Sequence, residues 1–377
     1  MSHFHLRCTS CEAAHVADMT TLHCDKCRSP LEVWYEDSPD MQSGPQPYYW
    51  TGPHIPLPIH GPGSLLSLGE GNTPCIELPA LATLLGLKRL LAKLEFLSPT
   101  GSFKDRGTAV MMSAASEHGV TQIAEDSSGN AGASVAAYAA MLGIAAHIFA
   151  PASAPAVKLH QIGVYGAIAH LIEGPREASA EAAIDWCTEH GTVYASHNLS
   201  PYFVEGTKMF AYEVALQSGD AMPDHIVTPV GNGSLYLGMW KGFGELLEQG
   251  QVVKVPRLHC VQARAVMPIV AAYEGDDWSA HEVANTVAGG IAVASPPRKQ
   301  QVLRVLEASG GVAVAVGEGA ILRWQALLAE SAGLYAEPTS AAAFAGLDAL
   351  ITQGVIQPSE SVLLPLTGSG LKDPMLT

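Results

Sequence analysis

The sequence predicts an α/β protein in which mostly parallel sheets are covered by helices and preceded by a small cysteine-rich module. Short apolar runs alternate with longer Ala-rich segments, the pattern of strand–helix–strand crossover units. The 377 residues are enough for two to three domains. Four of the seven cysteines lie within the first 27 residues, which sets the N-terminus apart from the rest.

The composition favours a folded protein and argues against nucleic-acid binding. Hydrophobic residues make up 48% and charged residues 15% of the chain, so a sizeable core is expected rather than disorder. The net charge is −16, with only 20 Lys and Arg residues. Because phosphate neutralisation needs clustered cations, no nucleic-acid partner is expected. The composition therefore favours a protein that acts on small molecules.

Two CxxC pairs, Cys8 with Cys11 and Cys24 with Cys27, predict a structural zinc site. Two such thiolate pairs complete a closed tetrahedral site with no open position for water. Disulfides or idle thiols are the alternative, and the lack of a recognisable secretory signal disfavours disulfides. Residues 1–35 are therefore predicted to form a zinc-ribbon-like module of a cytoplasmic protein.

A Pro-rich linker is predicted over residues 36–67. Seven prolines fall between Glu36 and Gly63, and they exclude a helix interior there. This composition indicates an extended arm with aromatic anchors.

The rest of the chain reads as alternating strands and helices. An uncharged stretch from Ser127 to Val157 is long enough to be a candidate transmembrane helix. A buried helix from Ala131 to Leu142, a stop at Gly143 and a buried strand explain it better, so no membrane partner is expected. Seven apolar runs predict strands: Arg89 to Leu94, Thr121 to Glu125, Ala146 to Ala150, Ala167 to Ile172, His225 to Val230, Leu258 to Val261 and Ser361 to Leu366.

Three segments at strand–helix junctions carry candidate chemistry. Lys104 opens a helix after a turn, where the helix dipole and burial disfavour its ammonium form; taken alone, an ordinary solvated lysine at a helix start explains it better. The loop from Asp126 to Ser134 offers hydroxyls and helix N-terminal amides to a carboxylate, or is a plain N-cap. The loop from Val227 to Leu235 lets amides approach a phosphate, or is a tight turn.

Taken together, these segments resemble the threonine synthases of the fold-type II pyridoxal-phosphate enzymes. The order is SFKDRG, SSGN, VGNG and then LTGSGLKD from Leu366 to Asp373; GEGNTP at Gly69 to Pro74 and EPTSAAA at Glu337 to Ala343 also look like that family. The resemblance covers Leu68 to Asp373. It implies a two-domain fold, with a large cofactor domain at 68–99 and 200–377 and a small domain at 100–199.

The resemblance also implies roles for individual residues. Lys104 would be the catalytic Schiff-base lysine that removes the substrate α-proton. Thr367 would face the pyridine nitrogen, and Asn130 the phenolic oxygen. The cofactor phosphate would be held by Gly231, Asn232, Gly233, Ser234 and Leu235. The substrate would be contacted by Ser127, Ser128, Asn130, Ala131, His197, Asn198, Phe203 and Lys208.

One departure from the family pattern bears on the substrate. Where the family commonly has an Arg that clamps the phosphate of O-phosphohomoserine, this chain has Phe203. An aromatic ring cannot replace a bidentate guanidinium. Threonine synthesis from O-phosphohomoserine therefore stands beside β-elimination or β-replacement on an unphosphorylated amino acid such as threonine, serine or diaminopropionate. A protein that binds the cofactor without catalysis is a remote alternative, and a homodimer is expected from the resemblance.

Overall fold

The structure is a computed structural model that describes residues 4–36, 44–61, 63–174, 176–278 and 285–373. The chain divides into two compact units. Unit 1 comprises Met1–Glu70 and Lys104–Met209, and unit 2 comprises Gly71–Phe103 and Phe210–Thr377. Unit 1 thus includes the cysteine module that the sequence predicts as a separate segment. The predicted domain boundaries themselves stay a prediction.

After residue 74 the described residues alternate between strands and helices, except that in three places two α-helices follow one another. The strands are β1 (Phe4–Cys8), β2 (Ala14–His15), β3 (Leu31–Tyr35), β4 (Cys75–Glu77), β5 (Arg89–Lys93), β6 (Gln122–Glu125), β7 (Ala145–Pro151), β8 (Ile168–Ile172), β9 (Val193–Tyr194), β10 (His225–Pro229), β11 (Arg257–Ala263), β12 (Ala313–Val316) and β13 (Ser361–Pro365). The α-helices are α1 (Pro79–Leu85), α2 (Lys104–Glu117), α3 (Asn130–Leu142), α4 (Ala156–Val164), α5 (Arg176–His190), α6 (Pro201–Thr207), α7 (Met209–Ser218), α8 (Ser234–Glu248), α9 (Pro268–Glu274), α10 (Lys299–Ser309), α11 (Glu318–Ala332) and α12 (Pro338–Thr352).

The N-terminal module is a small antiparallel sheet in the order β2-β1-β3. Alternate residues of β1, among them Phe4 and Leu6, are buried, as a strand with one covered face requires. Cys8 ends β1 opposite Leu31 of β3. The sheet therefore places Cys8, the first member of the first cysteine pair, at a strand end.

The linker that follows has neither helix nor strand in its described positions, 44–61 and 63–67; positions 37–43 and 62 fall outside the description. These positions belong to unit 1 and pack within it. Ile55, Leu57 and Ile59 are buried, and the amides of His60 and Gly61 donate to the Glu117 carboxylate at the end of α2. The lack of helix and strand agrees with the proline content, and the linker itself stays a prediction.

Unit 1 contains a four-stranded sheet in the order β8-β7-β6-β9, and all of its pairings are parallel. Parallel strands have their carboxyl ends at one edge, where ligand sites of such sheets lie. At this edge, β6 ends at Glu125 and β9 ends at Tyr194. The segments that follow these two strands are therefore neighbours.

Unit 2 contains a six-stranded sheet in the order β12-β11-β10-β13-β5-β4, parallel except for β4. All five residues of β10 are buried, as expected for a strand covered on both faces. The core beside the sheet includes Phe344 and Leu347 of α12 and Trp324 of α11. The predicted α/β class with mostly parallel sheets is confirmed.

The uncharged stretch contains α3, whose first nine residues after Asn130 are buried, followed by Gly143 with φ +66°. Gly143 ends the helix in the left-handed conformation that glycine adopts most easily. Strand β7 follows directly. Within the described part of the chain, no helix is both long enough and apolar enough to cross a bilayer.

Two histidines of unit 2 lie within hydrogen-bond distance of each other. They predict that the free energy of unfolding falls in acid. His259 Nδ1 accepts from the Val312 amide at 3.1 Å, and its Nε2 lies 2.9 Å from His225 Nδ1. Burial, then the charges of His225 and Arg257, lower the pKa of His259 from 6.5 to about 3. Because the unfolded chain binds a proton that the folded chain excludes, stability falls as the pH drops below 6.5.

At pH 5 this loss is about 2 kcal/mol for His259. Denaturant unfolding at pH 7 and pH 5 tests it, with His259→Gln and the exposed His118→Gln compared. The pH dependence is expected to shrink by about that amount in His259→Gln alone. An unchanged pH dependence in His259→Gln would contradict the assignment.

Candidate active site

Lys104 is the first residue of α2 in unit 1. Its Nζ atom lies 5.7 Å from the centroid of the Phe203 ring on α6. That ring is fully buried and packs against Gly107, where an added Cβ would come within 2.5 Å of a ring carbon. Gly107 therefore allows α6 to approach α2 closely, which places Phe203 beside the predicted catalytic lysine.

The predicted carboxylate loop connects β6 to α3. The Gly129 amide donates to Ser127 Oγ at 3.2 Å, so the serine side chain folds back on the loop. An added Cβ at Gly132 would lie 1.8 Å from the Ser127 carbonyl oxygen, and only glycine permits this approach. The loop is thereby fixed against the first turn of α3, whose amides can hold an anion. Ser127 and Ala131 are buried, and Ser128 and Asn130 are half-buried.

A buried carboxylate–histidine pair lies at the start of this loop. His197 Nδ1 donates to Glu125 Oε1 at 2.6 Å, and the His197 amide lies 3.3 Å from the other carboxylate oxygen. Glu125 is fully buried and His197 is 4% exposed. Asp126 completes the cluster, because one of its oxygens lies within 4.8 Å of ligand atoms of the other two. The His197 ring also meets Phe203 edge-on, at 6.1 Å between centroids.

Lys208, a predicted substrate contact, lies in a different environment. Its Nζ is 2.7 Å from Glu205 Oε2, and both side chains are buried. The same glutamate accepts a 2.6 Å hydrogen bond from the Tyr35 hydroxyl of β3. The ammonium group is thus neutralised inside unit 1, which favours a structural role over the predicted substrate contact. Asn198 is half-buried in the turn after His197.

Unit 2 contains the glycine loop between β10 and α8. Gly233 has φ +88°, and an added Cβ would lie 2.7 Å from Val302. An added Cβ at Gly231 would lie 3.0 Å from the Gly290 carbonyl oxygen. Helix α8 starts at Ser234, so Ser234 and Leu235 belong to its first turn. The backbone at this helix N-terminus can therefore approach an anion closely.

Asn232 lies between the two glycines. Its Oδ1 atom is buried and has no hydrogen-bond partner among the residues that the structure describes. Buried polar atoms are nearly always satisfied, so such an atom indicates a ligand contact. An amide oxygen only accepts, so Oδ1 would meet a donor of a ligand, whereas the two glycines and the N-terminus of α8 are the features that fit a phosphate.

Thr367 follows β13 in unit 2 and is buried. Its Oγ1 atom lies 3.0 Å from Ser340 Oγ and 3.4 Å from Glu337 Oε1. Ser340 Oγ also accepts from the Gly368 amide at 3.1 Å. The hydroxyl of Thr367 is therefore held in a defined position by α12.

The turn that leads into Lys104 is attached to the Thr367 segment. The Phe103 amide donates to the Thr367 carbonyl at 3.0 Å, and Ser102 pairs with Gly368 in a β-bridge. The Ser369 amide donates to the Gly101 carbonyl at 3.0 Å. The residue immediately before Lys104 is thus fixed to the segment with the predicted pyridine contact.

The four N-terminal cysteines converge. The Cys8 and Cys27 sulfurs lie 3.4 Å apart, and the Cys11 sulfur lies 3.6 Å from each of the sulfurs of Cys24 and Cys27. The amide of Cys11 points to the Cys8 sulfur and that of Lys26 to the Cys24 sulfur, each at 3.4 Å. All four sulfurs lie within 4.8 Å of one another.

Comparison with known proteins assigns the family. Residues 66–368 match the family described as pyridoxal-phosphate dependent enzyme. A threonine synthase of Methanosarcina acetivorans is 34% identical over 379 residues, covering 98% of this chain and 93% of that protein. The chain belongs to the pyridoxal-phosphate-dependent enzymes of the threonine synthase family.

Two further proteins are similar to this chain over most of their length. A threonine synthase of Bacillus sp. (strain ULM1) is 37% identical over 319 residues, 84% of this chain and 88% of that protein. The crystal structure of a threonine deaminase from T.th. has a TM-score of 0.67 at 27% identity, covering 79% of this chain and 92% of that one. The resemblance to threonine synthases and the class of pyridoxal-phosphate-dependent lyase are confirmed.

Sequence reasoning missed two residues in the neighbourhood of this family's motifs. Glu125 was not a predicted site residue, although an acidic pair directly before a Ser-Ser-Gly-Asn loop is a visible signal at the end of a predicted strand. Ser340 was also not predicted, and its contact with Thr367 joins segments 27 residues apart. Only the fold brings such a pair together.

Proposed function

We propose that this enzyme removes or replaces a substituent on the side chain of a small α-amino acid, with Lys104 as the lysine that binds the cofactor and moves the α-proton. The position of Lys104 carries this proposal. It opens α2, follows a turn fixed to the Thr367 segment, and lies beside a buried aromatic ring. A half-buried lysine at a helix start is disfavoured as a cation, which suits a base.

We assign the cofactor contacts to three segments. The glycine loop, residues 231–235, would hold the phosphate through its backbone and Asn232. Asn130 would contact the phenolic oxygen and Thr367 the pyridine nitrogen. The bound cofactor supplies an electron sink for the pair left when the α-proton departs.

The hydroxyl of Thr367 bears on the reaction class. A hydroxyl can donate to a neutral pyridine nitrogen but cannot hold that nitrogen as a cation. The electron sink is then weaker than with a carboxylate partner, which favours elimination over transamination. The 3.0 Å contact with Ser340 keeps this hydroxyl in place.

Two substrate classes follow from the family. The names of the relatives give threonine as a product, and the resemblance to threonine synthases implies O-phosphohomoserine as the first candidate substrate, with phosphate as the second product. A specific observation favours a second candidate: Phe203 stands where the family commonly has a phosphate-clamping Arg, and its ring is fully buried. A hydroxy amino acid would need no clamp, and the threonine deaminase is a structural relative with such a substrate in its name.

A product assay with cofactor-loaded protein tests the proposal. O-phospho-L-homoserine, L-threonine, L-serine and 2,3-diaminopropionate are supplied in turn, and phosphate, ammonia, 2-oxo acid and threonine are measured. The expected result is product from at least one of them together with a change in cofactor absorbance. If the cofactor is bound and no amino acid gives a product, the protein is a binding protein without catalysis.

We also propose that the four-cysteine cluster binds one structural zinc ion. Thiolates at the usual zinc distance lie about 3.8 Å apart in a tetrahedron, close to the separations between these sulfurs. Amides directed at the sulfurs of Cys8 and Cys24 fit the same interpretation. All seven cysteines are free, which supports a reducing, cytoplasmic location.

Removal of one zinc ligand is expected to abolish zinc binding. Cys24→Ser should reduce the metal content from about one zinc ion per chain to almost none. Elemental analysis and thermal unfolding check this, with Cys75→Ser in β4 as the matched control. Equal zinc content in Cys24→Ser and Cys75→Ser would contradict the site.

A homodimer is proposed on the strength of the family resemblance. Light scattering on the purified protein at several concentrations tests it. A mass of one chain at all concentrations would contradict the proposal.

A further inference from the structure

We propose that Tyr35 of the N-terminal module is a positioning residue for the active site. Through the Glu205 carboxylate it holds α6 in place, and α6 carries the Phe203 ring that borders Lys104. Tyr35 lies before residue 66, where the match to the pyridoxal-phosphate-dependent enzymes begins, so no family motif assigns it a role. Its role rests on the proposed function, in which Lys104 moves the α-proton.

Aromatic side chains of the N-terminal module pack against α6. The buried Phe4 ring of β1 lies edge-on to the buried Tyr202 ring of α6, with 6.4 Å between the centroids. The Tyr35 ring of β3 lies 6.3 Å from the same Phe4 ring. All three residues belong to unit 1. The module is therefore attached to α6 by side-chain packing and not only through the chain between them.

Three polar side chains join β3 to α6 and the residue after it. The Tyr35 hydroxyl donates to Glu205 Oε2 at 2.6 Å, and Lys208 Nζ lies 2.7 Å from the same oxygen. The Lys208 ammonium also lies 4.6 Å from the centroid of the Tyr35 ring. The Glu205 and Lys208 side chains are both buried. Because a hydrogen bond to a buried charge is strong and costly to break, it restricts how α6 can move relative to β3.

Helix α6 is also packed closely against α2. An added Cβ at Gly206 would lie 2.0 Å from the Arg106 carbonyl oxygen, and an added Cβ at Gly107 would lie 2.5 Å from a ring carbon of Phe203. The Phe203 ring is fully buried, and Lys104 Nζ lies 5.7 Å from its centroid. Because so close a contact leaves no free volume, a shift of α6 must move the ring or the helix that begins at Lys104.

Tyr35 acts through the position of the Phe203 ring. Without the tyrosine hydroxyl, Glu205 keeps Lys208 but loses a donor, and α6 is held less firmly against β3. The ring beside Lys104 is then less well positioned, and proton transfer depends strongly on the geometry around the base. The carboxylate loop lies between β6 and α3 and does not include α6. Loss of the hydroxyl should therefore lower kcat more than it raises KM.

Replacement of Tyr35 by phenylalanine tests this inference in cofactor-loaded enzyme. With the preferred amino acid of the product assay, Tyr35→Phe should lower kcat about tenfold and change KM by less than about twofold. Hydrogen exchange of the amides in residues 201–208 should become faster. The matched control is Tyr48→Phe, which changes an exposed tyrosine of the same unit and should keep wild-type kcat and exchange. All rates are measured well below the melting temperature, so that every variant is fully folded.

A double-mutant cycle with Phe203→Leu separates positioning from mere stability. Because Tyr35 acts through the ring, Tyr35→Phe should lower kcat by less than about twofold in the Phe203→Leu background. A structural role elsewhere in the protein would give the same loss in both backgrounds. Equal losses in the two backgrounds would therefore overturn the inference. Unchanged kcat in Tyr35→Phe, or unchanged exchange at residues 201–208, would overturn it as well.

Hydrogen exchange of the wild-type protein decides the case if Tyr35→Phe does not fold. Strand β3 and helix α6 should then open together, with protection factors that agree within about tenfold. Opening of β3 while α6 stays protected would overturn the inference. No product from any amino acid in wild-type enzyme would overturn the proposed function and, with it, the effect on kcat. Product formation at wild-type kcat in Tyr35→Phe would overturn this inference alone.

Discussion

Replacing Lys104 with alanine is expected to lower turnover about a thousandfold or more, because the chain then lacks the group that moves the α-proton. The substitution also removes the amine that attaches the cofactor. The absorbance of the lysine-bound cofactor should disappear, while the phosphate site at residues 231–235 keeps some affinity for it. Steady-state kinetics and absorption spectra of the reconstituted protein measure both effects.

Lys88→Ala serves as the control, because Lys88 is an exposed lysine just before β5. It should keep the wild-type spectrum and rate. Turnover within tenfold of wild type in Lys104→Ala would show that another residue moves the proton. Loss of the spectrum in Lys88→Ala would show that the effect is not specific to Lys104.

Gly132→Ala is expected to destabilise the folded protein by at least about 3 kcal/mol, because the new Cβ would lie 1.8 Å from the Ser127 carbonyl oxygen. The clash is with backbone, so no side-chain rotation relieves it. The carboxylate loop must move away from α3, and substrate affinity should fall with stability. Denaturant unfolding and KM for the preferred amino acid measure the two consequences.

Gly163→Ala in α4 is the matched control. Nothing lies within 4 Å of a Cβ added there, so helix propensity should stabilise this variant by about 0.5 to 1 kcal/mol. If Gly132→Ala were as stable as Gly163→Ala, the close packing of the loop on α3 would be refuted.

The elements with strong local signals could be predicted from the sequence. The helix predicted from Ala131 to Leu142 is observed as α3, Asn130–Leu142, because a continuous Ala-rich run and Gly143 mark both its body and its end. All seven predicted strands are present, with ends that differ by one or two residues. Strands β4, β9 and β12 were not predicted, since two to four residues are too few to show a period.

The candidate site was predictable only in part, for physical reasons. Lys104 and the glycine loop stand in local motifs whose spacing reports their chemistry. Lys208 was predicted as a substrate contact because its charge is visible in the sequence, whereas its neutralisation by Glu205 beside Tyr35 depends on packing. Glu125 needed the pairing of β6 with β9 before its contact with His197, 72 residues away, could be recognised.

Chemical trapping of the cofactor on its lysine tests the role of Lys104 most directly. Cofactor-loaded protein is reduced with borohydride, digested, and mapped by mass spectrometry to find the labelled residue. The cofactor is expected on the peptide containing Lys104 and on no other. A label on a different lysine, or none in a protein that retains bound cofactor, would contradict the central claim that Lys104 is the catalytic lysine.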